Sequence, residues 1–417
     1  MSRVTEDHHD DENDPRNAPG DDGPVDDAPE YDASADVPSY ERRDGLLDGP
    51  ARRRGAGLNP GNRFEANRVH VLGEAMDERY RERVEAGEDP AKPLRVALQV
   101  FPDKTQHVIN RVARTSDVPF DWTLNPYRGC EHGCIYCFAR PYHEYLGFSC
   151  GLDFETKIVA KHDAPKLLVR ELARPSWKAE PIVMSAITDI YQPIEKKLEL
   201  SRRCLEVLAE CAQPVSTMTK SALVLRDVDL WSKMSYRNTG RVTVTLVTLN
   251  DELAKDLEPR AAVPARRLHV IRELVRAGVQ VNVNIAPVIP GLTDKEMPAI
   301  LEAIADAGAR RVAWVMLRLP YQLKELFLDW LERSVPERAS HVESLIRQVH
   351  GGKLYKADFA ARRRGNGQIA GQIARVFDVF TRKHGLNRDI RPMRRDLFRP
   401  PPLHGQMSLF NDQNPGR

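Results

Sequence analysis

The chain has 417 residues, 41% hydrophobic and 29% charged, with a formal net charge of +2. That length accommodates one large domain with extensions or two modest ones, with enough apolar content for a sizeable core. Six cysteines in a chain this long do not suggest a disulfide framework. Near the N-terminus no apolar run reaches signal or membrane length, so the expectation is a cytoplasmic protein with no membrane partner.

Residues 1–60, rich in Asp, Pro, Gly and Ala and without apolar periodicity, are expected to form a disordered acidic arm. Thirteen acidic and two basic residues fall within 1–40, a local charge of −11. The remainder then holds 60 basic and 47 acidic residues, or +13, which suits a body that binds a polyanion. After the arm we expect an N-terminal extension over 61–118, a core over 119–320, a basic helical region over 321–400 and a flexible tail over 401–417.

The core opens on Asn125-Pro-Tyr-Arg-Gly-Cys-Glu-His-Gly-Cys-Ile-Tyr-Cys-Phe-Ala-Arg140, in which Cys130, Cys134 and Cys137 are spaced C-x3-C-x2-C. Three soft donors on one short loop can hold three corners of an iron–sulfur cube and leave the fourth iron open. The same thiolates also build structural zinc sites, which need a fourth ligand, here Cys150, His132 or His143. Two further cysteines, Cys204 and Cys211, lie seven apart in a helix-like run, on one face, as small buried hydrophobes.

Strand-like runs follow at 181–187, 214–219, 241–249, 280–286 and 311–317, with helical runs near 194–212, 226–235, 264–278 and 293–307 between them. Strand and helix in alternation predict an α/β fold with a parallel sheet and helices outside it. In 241–249, Val242, Val244 and Leu246 alternate with Thr243 and Thr245; in 280–286, Val281, Val283 and Ile285 alternate with Asn282 and Asn284. One apolar and one polar face predict a curved sheet whose polar side lines a cavity, the shape of a partial barrel holding a polar cofactor.

Asn125-Pro-Tyr-Arg-Gly129 before the first cysteine, His132-Gly133 between the first two, and Tyr136 resemble the spore photoproduct lyase-like branch of the radical S-adenosylmethionine (SAM) superfamily. Ile187-Thr-Asp-Ile-Tyr-Gln-Pro-Ile-Glu195, Thr219-Lys-Ser221, Glu258-Pro-Arg260 and Ala286-Pro-Val-Ile-Pro-Gly291 extend the likeness over about 119–320. The resemblance implies a partial (β/α)6 TIM-like barrel and a 4Fe-4S cluster on Cys130, Cys134 and Cys137. It also implies SAM on the open iron and an external electron donor. Tyr136 would pack beside cluster and adenine, and Ser185 to Thr188 would meet the SAM amine or ribose. Lys220 and Thr245 would reach its carboxylate and ribose, and Val288-Ile289 would cover adenine. Asn284, on a polar strand face, joins the cofactor-facing set; Arg128, Glu258 and Arg260 are further candidates, with loop bracing by Arg128 and a Glu258–Arg260 surface pair as the alternatives. The lyase carries a cysteine beside its second-strand motif, whereas Met184-Ser-Ala-Ile-Thr-Asp189 has none, so radical chemistry is implied more firmly than dimer repair.

Two features point to nucleic acid. Residues 353–400 hold thirteen basic and four acidic residues, including Arg362-Arg363-Arg364, Arg388, Arg391, Arg394, Arg395 and Arg399, and a predicted helix over 368–384. In the tail, Gln406-Met-Ser-Leu-Phe410 resembles the peptide that docks on the bacterial DNA sliding clamp, with Gln406, Leu409 and Phe410 as anchors. The expected function is therefore a radical SAM enzyme of nucleic-acid repair or modification. The alternatives are radical chemistry on RNA, a peptide or a small metabolite, or a zinc-stabilised nucleic-acid-binding protein.

Overall fold

The structure, a computed structural model, describes residues 53–64, 96–113, 118, 120–356, 361–388 and 391–402. Most of the acidic arm, much of the 61–118 extension and the Gln406–Phe410 peptide lie outside the described residues.

The described strands are β1 (Gln99–Pro102), β2 (Ile109–Arg111), β3 (Trp122–Leu124), β4 (Tyr127–Arg128), β5 (Lys157–Ala160), β6 (Ile182–Met184), β7 (Val215–Thr219), β8 (Gly240–Thr245), β9 (Val281–Val288) and β10 (Arg311–Met316). One sheet has the order β10-β9-β8-β7-β6-β3-β2, and a second the order β1-β5-β4. From β3 to β10 every neighbouring pair in the large sheet is parallel, and only the β2–β3 pair is antiparallel. Spatial order follows chain order across the six parallel strands. Helices Ala164–Leu172, Leu200–Glu210, Val228–Tyr236, Pro264–Arg276 and Met297–Asp306 lie between them in sequence. This is the expected α/β architecture, a partial (β/α)6 barrel.

The alternation read from sequence sets the two faces. Val281, Val283 and Ile285 of β9 are buried against helices, whereas Asn282, Asn284 and Ala286 remain part-exposed on the other face. Cys204, Leu205 and Leu208, together with Val270, Ile271 and Leu274, fill the helix side of the core. Cys204 and Cys211 are buried there as expected.

Some boundaries differ for local reasons. The 241–249 run leaves the sheet after Thr245, because the Glu296 carboxylate captures Thr248 Oγ1 and Leu249 N, both at 2.6 Å. Asn250 Oδ1 then accepts from the amides of Glu252 and Leu253 and caps a helix, Asp251–Leu257, not foreseen in the sequence. The 194–212 run is two helices, broken where Glu199 takes φ +51°.

The C-terminal region is part of the barrel. Helix Gly367–Lys383 buries Ala370, Ile373 and Phe377 in the core, with the Phe377 ring 6.2 Å from that of Trp314. The following segment runs under the N-terminal ends of the strands. Arg394 N donates to Asn238 O (2.9 Å), Arg399 N to Cys211 O (2.8 Å), and Arg395 pairs with Glu180 (2.7 Å). Those partners precede β8, β7 and β6. Of the arginines read from sequence as phosphate contacts, Arg391, Arg394, Arg395 and Arg399 therefore lie at the end of the barrel opposite the cysteine loop, whereas Arg364 packs over the Trp314 ring of β10.

Replacing Phe377 tests this integration. Phe377→Ala is expected to cost about 3–5 kcal/mol, read as a lower denaturant midpoint at unchanged slope. An unchanged midpoint would make the helix an independent appendage.

Candidate active site

The cysteine loop leaves β3 and β4 at the C-terminal ends of the parallel strands, where βα loops gather. Cys130 and Cys134 are buried and Cys137 is part-exposed. Its backbone is pinned: Cys130 N donates to Phe154 O (2.9 Å), Ile135 N to Leu257 O (3.1 Å) and Cys137 N to Cys134 O (3.2 Å). Burial pushes the Cys130 thiol well above its usual value and Cys134 up to about 12. A free thiol is at rest in such a pocket, and a cation is needed to draw off the proton.

A buried arginine, not Arg128, braces the loop. Arg128 pairs with Asp103 (3.2 Å). Arg140, fully buried, donates to the carbonyls of Cys134 (2.9 Å), Gly133 (3.1 Å), Gly151 (2.8 Å) and Cys150 (3.3 Å), and to Glu155 Oε1 (2.6 Å). The Glu155 carboxylate also accepts the amides of Gly55 (3.0 Å) and Ala56 (2.9 Å), and Arg54 reaches Glu155 O (2.8 Å). Residues 53–60, assigned by composition to the disordered arm, are thus a strap fastened to the loop, with Ala56 fully buried. The fit demands glycine on both sides. Gly133 sits at φ +69°, and a Cβ on Gly55 would lie 2.0 Å from Gly133 O.

The side chains expected to face the cofactor gather at the same strand ends. Lys220 follows β7, with Nζ 5.8 Å from the Tyr136 ring centroid. Burial would lower its pKa, but Cys134 and Glu258 hold it above the usual lysine value. Strand register sets Thr245 beside Asn284. Thr245 Oγ1 and Asn284 Oδ1 are buried and have no hydrogen-bond partner within the protein, so this corner holds acceptors that a bound group could satisfy. Val288 is buried at the end of β9. Ser185 and Thr188 differ from the rest, because their hydroxyls are engaged. Ser185 Oγ bridges Met218 N and O (both 2.8 Å), and Thr188 Oγ1 donates to Gly129 O (2.7 Å).

Glu258 and Arg260 do not pair with each other. Arg260 meets Glu131 (2.9 Å), whereas buried Glu258 accepts from Tyr136 Oη and from Arg267. Burial would raise the Glu258 carboxyl, yet Arg267 and Lys220 hold it below the usual range. Arg267 also donates to Thr245 O (3.0 Å) and Ala262 O (2.6 Å). Sequence reading missed it, although a signal exists: positions 267, 270, 271 and 274 form the apolar stripe of their helix, and Arg267 alone on it is charged. His132 pairs with Asp189 (3.2 Å), which also accepts Lys220 N (2.8 Å). Cys150 Sγ lies 3.7 Å from Gln322 Oε1, and His143 packs between the rings of Phe148 and Phe154. Among the described residues no three His, Cys, Asp or Glu converge as ligands of a single ion. A cube, by contrast, takes each thiolate on a different iron, so its donors need not converge on one point.

Residues 124–304 match the radical SAM superfamily. An uncharacterised protein of Mycobacterium tuberculosis is 38% identical over 242 residues, 58% of this chain and 71% of the relative. The chain belongs to the radical SAM superfamily. A radical SAM Nalpha-GlyT isomerase of Pseudomonas phage M6 is 23% identical over 54% of this chain and 46% of that protein. A spore photoproduct lyase variant, solved with AdoMet and dinucleoside spore photoproduct bound, is similar at TM-score 0.45 and 13% identity, covering 74% of this chain and 92% of that one.

A radical SAM enzyme uses a 4Fe-4S cluster and SAM, and the residues present fit both groups. Three thiols on one pinned loop match the cluster's demand for soft donors, and the unpartnered oxygens of Thr245 and Asn284 beside a cationic Lys220 match a polar zwitterion. No helix among the described residues is long and apolar enough to cross a membrane.

The brace and strap are separable by mutation. Glu155→Ala leaves Arg140 buried without its counter-charge, a cost of about 3–5 kcal/mol, and is expected to lower both the thermal midpoint and the iron bound per chain. Gly55→Ala keeps the ion pair but displaces the strap, so limited proteolysis is expected to cut within 53–64. Wild-type iron content and protease resistance in both variants would refute the assignment.

Proposed function

We propose that this radical SAM enzyme abstracts hydrogen from a nucleic-acid substrate, in repair or base modification. Cys130, Cys134 and Cys137 each ligate one iron of the cluster. The observation that carries the reading is the pinned cysteine loop at the strand ends, facing Lys220, Thr245 and Asn284. A cluster held by these three thiolates would supply the electron for reductive cleavage of SAM, and SAM would supply the hydrogen-abstracting group.

The protein's part is orientation and exclusion of water. Lys220 offers a cation to the SAM carboxylate, and Thr245 and Asn284 offer polar atoms that have no other partner. Tyr136, held by Glu258, and Val288 supply apolar surface for adenine. Ser185 fastens β6 to β7, and Thr188 fastens the second strand's loop to Gly129, so both frame the site through bonds already made. For the substrate class, support comes from the +13 charge outside residues 1–40. An external electron donor completes the set of partners.

The test is anaerobic reconstitution with iron, sulfide and dithionite, followed by chromatography for 5′-deoxyadenosine. Wild type is expected to form the nucleoside and Cys134→Ala none. Lys220→Ala is expected to retain its iron and brown colour while binding SAM about 10- to 100-fold more weakly, the worth of one charge-assisted hydrogen bond. A colourless, zinc-loaded wild type would refute the proposal.

A further inference from the structure

We propose that an aromatic and arginine surface beside the third cysteine stacks the unpaired bases of single-stranded nucleic acid and presents them to the site. The proposal deepens the nucleic-acid reading above and rests on it.

Among the described residues six aromatic side chains are more than a third exposed: Phe64, Phe101, Phe138, Tyr142, Tyr145 and Tyr236. Four of the six fall on one surface. The rings of Phe64 and Tyr145 lie 4.9 Å apart, and those of Tyr142 and Tyr145 6.3 Å apart. Tyr142 also lies near Tyr321 and Arg318: burial first, then Tyr145 and Tyr321, push its hydroxyl above the usual value, while Arg318 opposes them. Arg318 in turn sits 4.7 Å from the Phe138 ring. The Arg63 guanidinium lies 3.9 Å from the Tyr321 ring, 4.7 Å from Phe64 and 5.6 Å from Tyr145.

The position of this surface joins it to the chemistry. Phe138 directly follows Cys137, and Arg318 lies two residues beyond the end of β10, so the surface flanks the barrel end that carries the cysteines. Arg63 and Phe64 follow just after the strap, with Arg63 held by Glu144. A protein with an adequate core rarely leaves several rings together in water, and such a patch marks a binding surface.

Its chemistry favours bases. Rings interleaved with guanidiniums offer flat faces, and every base has a π-face to lay against them. The patch is not mainly electrostatic. Arg63 is matched by buried Glu144 at 3.4 Å, so its part is to order the rings. A stacking surface with so few cations should bind single strands with a shallow salt dependence. One or two phosphates neutralised give a logarithmic slope of about −1, against a much steeper one for a basic track. A duplex, whose bases are already stacked and paired, should bind more weakly.

The experiment is a titration of the reconstituted full chain into fluorescein-labelled single-stranded DNA, single-stranded RNA and duplex DNA of mixed sequence. Anisotropy is followed at several salt concentrations. Wild type is expected to prefer a single strand, with the shallow slope. Phe64→Ala with Tyr145→Ala is expected to weaken binding about tenfold or more, since each lost ring costs one base its stacking partner. Wild-type iron content and thermal midpoint check that this variant is folded. Arg394→Ala with Arg395→Ala, at the opposite end of the barrel, is expected to bind as wild type does.

Equal affinity of the Phe64/Tyr145 variant and wild type, a steep salt slope lost with Arg394 and Arg395, or preference for duplex would each overturn the proposal. So would capture of a peptide library with no single-strand binding. If single strands fail to bind a protein that still forms 5′-deoxyadenosine, the surface assignment fails and the radical reading stands. If they bind through Phe64 and Tyr145 to a protein that forms none, the radical reading fails and the surface assignment stands.

Discussion

The Glu155 carboxylate, fully buried, holds the site together, because one group fixes three pieces of chain that no regular element would join. It neutralises Arg140, whose remaining donors cover the carbonyls around the second cysteine, and it accepts two backbone amides from the N-terminal strap. A buried guanidinium without that carboxylate would be an unpaired charge in a low-dielectric interior, and a loop of irregular backbone without the guanidinium would leave several carbonyls unsatisfied. The cysteine loop can therefore be irregular, as ligation of a compact inorganic group requires, and still be rigid. A second buried pair, Glu258 with Arg267, does the same for Tyr136 and for the backbone at Thr245.

The barrel separates its two ends by chemistry. At the C-terminal strand ends sit the cysteines, Lys220, the unpartnered oxygens of Thr245 and Asn284, and the exposed rings. At the N-terminal ends sits a basic segment in which Arg394, Arg395 and Arg399 are occupied with Asp396, Glu180 and backbone carbonyls. The same residue type thus serves two purposes. Arg140 and Arg267 are structural cations within the site, whereas Arg394, Arg395 and Arg399 close the barrel's far end.

Much of this was legible in the sequence because it is written locally. The C-x3-C-x2-C spacing, the Val/Asn alternation of β9 and the Thr219-Lys220 strand end are each contained within a few residues, and the parallel order of strands follows from strand and helix in alternation. What escaped was non-local. Nothing near Arg54-Gly55-Ala56 announces a carboxylate 100 residues away, so an Asp- and Gly-rich composition set the boundary of the arm too late. Arg267 was visible only as a misplaced charge on an apolar stripe, and its partner could not be named without the fold. The C-terminal arginines illustrate the converse: composition reports that charge is present and says nothing about which end of a barrel it faces.

The strap also carries a consequence for the order of assembly. Its docking closes a loop of about 100 residues, a larger entropic cost than any turn within the barrel, and its acceptor exists only once Glu155 and Arg140 have met. Docking thus ties the covering of the cysteine loop to the Glu155–Arg140 pair and not to the barrel alone. With the strap in place the backbone of residues 54–56 lies across one side of the loop, and the N-terminal segment acts as a latch on it.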